Sequence, residues 1–151
     1  MFHRIVVPTD FSDCAQEGWE MAKRLSAAAG GELIVCHVLP EPLRYGQGIY
    51  AGDAAANVEQ SARAWVQSAL DDLVGDARAK GLAARAGLRH GVAYQQIVAL
   101  AVDERADLIV IGTHGRGGVS RALLGSVADR VVRLAPCPVL TVREPDGKAT
   151  A

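Results

Sequence analysis

The chain has 151 residues, of which 50% are hydrophobic and 22% charged, with a net charge of -1 at pH 7. This length predicts one compact domain with a sizeable core, and the balanced charge argues against nucleic acid or an anionic membrane surface as a partner. No segment approaches the ~20 consecutive apolar residues that a membrane-spanning helix needs, so we expect a soluble, cytoplasmic protein with no membrane partner.

The cysteines and histidines show no metal-binding pattern. Cys14, Cys36 and Cys137 are widely spaced and contain no CxxC pair, which argues against a disulfide framework or a zinc site. We predict that they are small buried or half-buried apolar residues. The four histidines show no HExxH motif and no paired spacing, so none is assigned to a metal.

The first predicted elements are a strand, a helix and a second strand. The β-branched run "RIVVP" predicts the strand, and small or apolar residues then recur at helical spacing up to Gly30 and Gly31, which predict a C-terminal stop. The continuous apolar run "ELIVCHVLP" is typical of a strand that is covered on both faces, as in a parallel sheet. Residues 40–56 mix Pro, Gly and small residues without a clear period, and we predict a surface excursion there.

Residues 58–80 form the longest predicted helix. Apolar residues recur every three or four positions, at Val58, Ala62, Trp65, Ala69, Leu73 and Ala77. We predict that this stripe faces the core and that Trp65 packs inside it.

The second half of the chain continues the alternation. "LAARAGLRH" predicts a weak third strand, "AYQQIVALAVDER" a helix, "DLIVIG" a strong fourth strand, and "PVLTVR" a fifth strand after one more helix. The alternation predicts an α/β fold, a three-layer sandwich on a five-stranded, mostly parallel sheet with about four helices. We assign residues 1–144 to this single domain and residues 145–151 to a polar C-terminal tail.

Five glycines lie between Gly112 and Gly125, directly after the fourth strand. Glycine allows positive φ and lets backbone N–H groups approach a phosphate closely. A helix that starts near Gly125 and Ser126 adds N–H donors and the positive end of its dipole, and Arg116 and Arg121 can add charge. The stretch therefore predicts a phosphate or nucleotide site, although a plain loop in which Ser126 only caps a helix explains the same residues.

Strand order decides what faces this glycine stretch. In open α/β sheets, ligands bind beyond the carboxyl ends of the strands, where the strand order reverses. In a flavodoxin-like order the first and third strands meet at this point, whereas the order 3-2-1-4-5 brings the first and fourth together. The glycines after the fourth strand favour 3-2-1-4-5, and because the first strand ends in "PTD", this order places Asp10 across the crevice from them. The stretch lacks the Walker A lysine, and "GRGGVS" ends in Ser120 where the dinucleotide fingerprint requires glycine.

The spacing G-x2-G-x9-G-S, met by Gly112, Gly115, Gly125 and Ser126, resembles the ATP-binding motif of the universal stress protein family. The likeness covers nearly the whole chain: "RIVVPTDFS", "LIVCHVLP", "ADLIVIGTHGRGG" and "LLGSVADRVVRLAPCPVLTVR" resemble that family's first, second and fourth strands and its last helix and strand. The resemblance implies an adenine nucleotide alpha hydrolase-like fold and ATP, with Mg, as the ligand.

The resemblance also implies a role for each matching residue. Asp10, with Pro8 and Thr9 beside it, would lie near the ribose and the phosphate-bound Mg, so that Asp10 contacts the metal through the bound nucleotide. Val38 would pack on the adenine and offer backbone hydrogen bonds to its edge. The residues implied around the ribose and phosphates are Gly112, Gly115, Arg116, Gly117, Gly125, Ser126 and Val127.

The function implied is a homodimeric, ATP-dependent regulator or sensor in the stress response, read by a protein partner that the sequence does not name. The dimer would form through the last strand, Pro138 to Arg143, because an unpaired apolar edge strand promotes aggregation. A slow ATP hydrolase or phosphoryl-transfer enzyme is the alternative, with His114 and Asp10 as candidate acid, base or metal ligand, but we assign no catalytic residue. A flavin-type electron-transfer module on a similar fold is the second alternative, since fold alone does not define function.

Overall fold

Strands and helices alternate along the computed structural model, which describes residues 1–41, 52–114 and 123–145. The elements in chain order are β1 (Arg4–Pro8), α1 (Asp13–Ala29), β2 (Glu32–Leu39), α2 (Gly52–Ala79), β3 (Ala84–His90), α3 (Ala93–Asp103), β4 (Leu108–Gly112), α4 (Ser126–Leu134) and β5 (Val139–Val142). None of the helices in these ranges combines the length and the hydropathy that crossing a bilayer requires.

The sheet has the order β3-β2-β1-β4-β5, and every neighbouring pair of strands is parallel. The predicted α/β fold class and strand order are therefore confirmed. Alternate side chains of β1 enter two separate cores: Ile5 and Val7 pack with α1 and α2, whereas Val6 packs with α3 and α4. Since helices cover both faces, the central strands are apolar without alternation. The switch point lies between β2 and β4, above the end of β1.

Both ends of α1 follow from local chemistry. The Ser12 side chain accepts a hydrogen bond from the Ala15 backbone N–H at 3.2 Å, which satisfies one free donor of the first turn. Gly30 adopts the left-handed conformation, with φ of 75°, and its N–H donates to the Ser26 carbonyl at 2.7 Å. The predicted glycine stop is confirmed, and the N-terminal cap places the start of α1 directly after the end of β1.

The prediction for residues 40–56 is wrong at its C-terminal end, because α2 already begins at Gly52. Residues 42–51 lie outside the described part of the chain. Residues 52–56 are rich in alanine, which is the strongest helix former. No apolar period indicated a helix there, because residues 54–65 have no buried face.

The predicted core stripe of α2 is also wrong in its phase. Val58 is 70% exposed and Trp65 56% exposed, and every residue from 54 to 65 is exposed. The buried residues of α2 are Val66, Leu70, Val74 and Ala77. The helix therefore packs against the sheet only from Val66 onward, and its first three buried residues each lie one position after a member of the predicted stripe. At the end of the helix the stripe is right, because Ala77 is buried and Leu73 packs against the core.

A buried lysine helps to define this phase. Lys23 on α1 is 5% exposed, and its Nζ donates to Asp76 of α2 at 2.7 Å and lies 2.8 Å from Glu20. Burial by itself lowers the pKa of Lys23, but its hydrogen bonds to Asp76 and Glu20 outweigh burial and leave the pKa raised. The ion pair between Lys23 and Asp76 therefore connects α1 to α2 on one side of the sheet.

Candidate functional site

The first wall of the site is formed by the end of β2. β1 ends at Pro8, which pairs with Cys36, whereas β2 continues to Leu39. The Thr9 N–H still donates to the Cys36 carbonyl at 2.8 Å, so Cys36 directs its backbone groups toward β1. In a parallel strand these directions alternate from residue to residue. Val38 therefore directs its N–H and C=O to the same side, beyond the last residue of β1.

The end of β4 forms the opposite wall in the same way. Val6 pairs with Ile109, and counting on along both strands puts Gly112 one residue beyond the end of β1. The Thr113 N–H donates to the Val142 carbonyl of β5 at 2.9 Å, so Thr113 faces β5 and Gly112 faces β1. The strands on either side of β1 thus present backbone groups to one gap above it.

A cavity of about 500 Å³ occupies this gap, within the size range of small-molecule sites. Eight sequence-predicted site residues line it: Pro8, Thr9, Asp10, Val38, Gly112, Gly125, Ser126 and Val127. The other three predicted site residues, Gly115, Arg116 and Gly117, lie outside the described part of the chain. Arg121 lies outside it as well. The structure therefore brings together every predicted site residue that it describes.

The turn after β1 holds Asp10 at the cavity. The Ser12 N–H donates to Asp10 Oδ1 at 3.0 Å, and the Phe11 N–H donates to Thr9 Oγ1 at 3.0 Å. Phe11 has φ of 62°, which costs a non-glycine residue about 1–3 kcal/mol. Its ring packs 5.1 Å from that of His37, which helps to hold this conformation. Asp10 is thus presented by a tight turn whose side chains and backbone are hydrogen-bonded to one another.

Gly112 and Gly125 have a packing requirement in addition to the ligand role that the sequence suggested. A Cβ on Gly112 would lie 2.9 Å from the Cys14 carbonyl oxygen, and a Cβ on Gly125 would lie 2.8 Å from the Thr113 carbonyl oxygen. Neither glycine has positive φ. These two residues therefore let the protein backbone pack on itself, which requires glycine whether or not a ligand is bound. The prediction that they also make room for a ligand stays a prediction.

The start of α4 opens into the cavity. Gly125 is the N-cap of α4 and forms no side-chain capping bond, so Ser126 is the first helical residue and does not cap the helix. The Gly125 N–H donates to the Thr113 carbonyl at 2.7 Å, which holds the helix start against the end of β4. The N–H groups of the first turn, from Ser126 to Ala128, have no acceptor within an α-helix. These three residues line the cavity.

The remaining described lining residues are Ala15, Cys36, His37, Ala93, Ile97, Ile111, Thr113, His114, Leu123, Leu124 and Ala128. Of these, the sequence singled out His114, as a candidate acid or base of the alternative enzyme. Thr113 carries a usable signal, since it lies between Gly112 and His114. Ala93 and Ile97 carry none, because nothing in the local sequence of α3 shows that it lines a cavity. Where α3 packs beside α4, the Arg130 guanidinium lies 4.8 Å from the centre of the Tyr94 ring.

The cavity is mostly apolar and holds little charge. Among its described lining residues, Asp10 is the sole carboxylate, and none is lysine or arginine. The described residues contain no cluster of three His, Cys, Asp or Glu side chains that could hold a metal ion without a ligand. Burial raises the pKa of the Cys36 thiol to about 12, so Cys36 lines the cavity as a neutral side chain. All three cysteines are free, with Cys14 and Cys36 buried and Cys137 half-buried, as predicted.

A universal stress protein of Thermus aquaticus is 35% identical over 144 residues, which cover 95% of this chain and 100% of the relative. The structure of MJ0577 from Methanocaldococcus jannaschii matches with a TM-score of 0.84 at 25% identity, over 97% of this chain and 99% of that one.

Two solved universal stress proteins with TM-scores of 0.67 are nucleotide complexes. One, from Archaeoglobus fulgidus, contains dAMP and is 26% identical over 93% of this chain and 97% of that one. The other contains cAMP and is 26% identical over 94% of this chain and 97% of that one. Residues 1–143 match the universal stress protein family as a whole. Because of this match, and because the Thermus aquaticus relative is covered over its full length, the chain belongs to the universal stress protein family.

Proposed function

We propose that this protein binds ATP with Mg²⁺ in the crevice above β1 and acts as a homodimeric, nucleotide-dependent regulator or sensor in the stress response. The observation that carries the proposal is that the backbone of Val38 and the first turn of α4, whose N–H groups have no acceptor within the helix, open into one cavity of nucleotide size. The dAMP and cAMP complexes of similar proteins support an adenine nucleotide as the ligand class.

The base would bind at the Val38 end of the cavity. The N–H and C=O of Val38 form a donor and an acceptor on the same strand edge, which complement N1 and the N6 amino group of adenine. Guanine presents the reverse pattern, with O6 as acceptor and N1–H as donor. A wrong pairing leaves buried polar groups unsatisfied, which costs about 1–3 kcal/mol for each group. We therefore expect GTP to bind at least about tenfold more weakly than ATP.

The phosphates would bind at the start of α4, where free N–H groups and the positive dipole end attract an anion. Asp10 lines the same cavity and would repel a bare polyphosphate. A Mg²⁺ ion held jointly by phosphate oxygens and one carboxylate relieves this repulsion, and such shared binding is usual for Mg²⁺. Asp10 is thus the residue that would contact the metal.

The dimer would form through β5, the last strand of the sheet order. One edge of Val139–Val142 pairs with β4, and the other edge can pair with the same strand of a second copy. On the adjoining helix α4, Val132 and Leu134 are 45% and 57% exposed. Apolar side chains beside an open strand edge support pairing over the interval Pro138 to Arg143.

The first test is to denature the purified protein and identify any released nucleotide by chromatography and mass spectrometry. The stripped protein is then titrated calorimetrically with ATP, with and without Mg²⁺, and with GTP. We expect either that the purified protein releases adenine nucleotide or that the stripped protein binds ATP. We also expect ATP to bind more tightly than GTP, and light scattering to give the mass of a dimer. Failure to bind ATP under both metal conditions contradicts the proposed ligand.

Asp10→Asn separates the metal role from a role in the turn, because asparagine keeps the oxygen that accepts from the Ser12 N–H. We expect this variant to weaken Mg²⁺-ATP binding and to leave metal-free ATP binding unchanged or stronger. Asp72→Asn, on the exposed face of α2, is the matched charge control. Equal losses with and without metal would show that Asp10 serves the turn or the ribose instead.

A further inference from the structure

The ladder of hydrogen bonds between β1 and β2 stops just before Val38. At its start the Glu32 N–H donates to the His3 carbonyl, and at its end the Thr9 N–H donates to the Cys36 carbonyl, each at 2.8 Å. Bonds of a parallel ladder recur at every second residue of each strand, so the next bond would run from the Val38 N–H to the Thr9 carbonyl. Within the described part of the chain, no hydrogen bond joins these two groups.

A side chain takes the place of the missing donor. Nδ1 of His37 lies 2.7 Å from the Thr9 carbonyl oxygen. A carbonyl oxygen only accepts, so Nδ1 carries the hydrogen and donates it. Thr9 is 8% exposed, and the carbonyl of so buried a residue requires a donor. The imidazole therefore satisfies an acceptor that the Val38 N–H would otherwise satisfy.

The His37 ring is held in place by aromatic packing. Its centroid lies 5.1 Å from that of Phe11, and the Phe11 ring meets the Trp65 ring of α2 edge-on at 5.2 Å. Phe11 lies where the chain leaves β1 for α1, and it has φ of 62°. His37 also lines the cavity. The donor that replaces the Val38 N–H is thus positioned by contacts within the protein itself.

We propose that His37 keeps the Val38 N–H available to the bound nucleotide by supplying the donor for the Thr9 carbonyl. His37 is then a positioning residue for the contact between Val38 and the adenine base. The proposal rests on the proposed function, because it explains how the same site keeps its base-recognising edge open. Without the imidazole, the Thr9 carbonyl takes the Val38 N–H, the ladder gains one bond, and the base loses its donor.

The choice between bases depends on the same N–H group. The Val38 N–H complements N1 of adenine, which is an acceptor, and opposes N1–H of guanine, which is a donor. The Val38 carbonyl can accept from the adenine amino group or from the guanine N1–H. If the ladder consumes the N–H, the carbonyl that remains suits both bases. Loss of the His37 donor should therefore reduce the preference for ATP over GTP as well as the affinity for ATP.

Two substitutions separate the donor of His37 from its ring. His37→Phe keeps an aromatic ring beside Phe11 and removes the donor, whereas His37→Asn keeps an N–H donor near the position of Nδ1 and removes the ring. His90→Phe, at the end of β3 and outside the described cavity lining, is the matched control. Stripped, full-length protein is titrated calorimetrically with ATP, GTP and 1-deaza-ATP, in which a carbon replaces the N1 acceptor. Melting temperatures monitor folding.

We expect His37→Phe to weaken ATP binding about three- to tenfold, as for the loss of one neutral hydrogen bond. Wild-type protein should bind 1-deaza-ATP more weakly than ATP by about the same factor. In His37→Phe the two nucleotides should bind about equally, because the Val38 N–H is already bonded within the protein. The His37→Asn and His90→Phe variants should both stay within about twofold of the wild type for ATP.

The outcomes separate this inference from the function on which it rests. Wild-type protein that binds no ATP contradicts the proposed function itself. Wild-type protein that binds ATP and 1-deaza-ATP equally overturns only the inference, because the Val38 N–H would then not contact the base. A His37→Phe variant that still prefers ATP to 1-deaza-ATP overturns it as well, since His37 would only support the fold. A His37→Asn variant as weak as His37→Phe would assign the effect to the ring and reject the donor.

Amide hydrogen exchange at Val38 tests the inference without any nucleotide. In the stripped wild type, we expect the Val38 N–H to exchange faster than the N–H of Cys36, which lies within the ladder. In His37→Phe the Val38 N–H should become protected. Protection at Val38 equal to that at Cys36 in the stripped wild type would show that the N–H is already bonded, which would overturn the proposal.

Discussion

Gly112→Ala is the substitution that best separates the two explanations of the glycine stretch. The structure indicates that Gly112 is needed because β4 packs directly on α1, where an added Cβ would lie 2.9 Å from the Cys14 carbonyl oxygen and 3.0 Å from its sulfur. The backbone of α1 cannot rotate away as a flexible side chain could. The variant should therefore be destabilised even when no nucleotide is present.

The expected magnitude follows from that contact. Real Cβ atoms essentially never approach a heavy atom within 3.0 Å, so α1 must shift away from β4 and the Cys14 contact with Val142 must lengthen. Overpacking of this kind costs about 1–3 kcal/mol, which corresponds to a decrease in Tm of about 2–12 °C for a domain of this size.

Urea unfolding of nucleotide-stripped protein, followed by circular dichroism at one fixed protein concentration, measures this cost. Gly75→Ala is the matched control, because Gly75 lies on α2 with no atom within 4 Å of the added Cβ. That change should stabilise the protein by about 0.5–1 kcal/mol. A stripped Gly112→Ala protein with wild-type stability but lost ATP affinity would refute the packing explanation and favour the ligand explanation.

Three further predictions concern stability. Ser12→Ala should lower the free energy of unfolding by about 1 kcal/mol in urea titrations, because it removes the cap of α1 that accepts from the Ala15 N–H; an unchanged midpoint would contradict this role. The Asp107 carboxylate accepts hydrogen bonds from the backbone N–H groups of His3 and Arg4, and these bonds lower its pKa. The stability advantage of wild type over Asp107→Asn should therefore be full above pH 5 and disappear as the pH falls below about 4. An advantage that is constant with pH would argue against this linkage. Leu70→Ala should cost about 2–5 kcal/mol and Trp65→Ala only about 1 kcal/mol, and the reverse order would show that Trp65 is a core residue after all.

The regular parts of the fold were predictable because their signals are local. A strand covered on both faces must be apolar throughout, as in β2, and a helix that ends in the left-handed conformation strongly favours glycine, as at Gly30. The alternation of these signals then leaves few topologies. The positions of Asp10 and the glycine stretch selected the observed strand order from among them.

The phase of α2 was not predictable for an equally physical reason. Alanine fits either a buried or an exposed helical face, so Ala62 and Ala69 extended the apparent stripe without evidence of burial. Trp65 then appeared to be its anchor. The buried face is instead set by where the helix meets the sheet, which begins at Val66, and by the Lys23–Asp76 pair.

What the sequence by itself determined was the order of elements and the location of the crevice, because both depend on chain direction and short-range conformation. The eight predicted residues that line the cavity came from the glycine stretch, the end of the first strand and the resemblance to the universal stress protein family. Tertiary structure alone decided that Gly112 and Gly125 lie against neighbouring backbone, and which face of α2 is buried. These outcomes depend on contacts between residues far apart in the chain, such as Gly112 and Cys14. Such contacts arise only when the sheet brings α1, β4 and β5 together, and no local pattern in the chain encodes their distances.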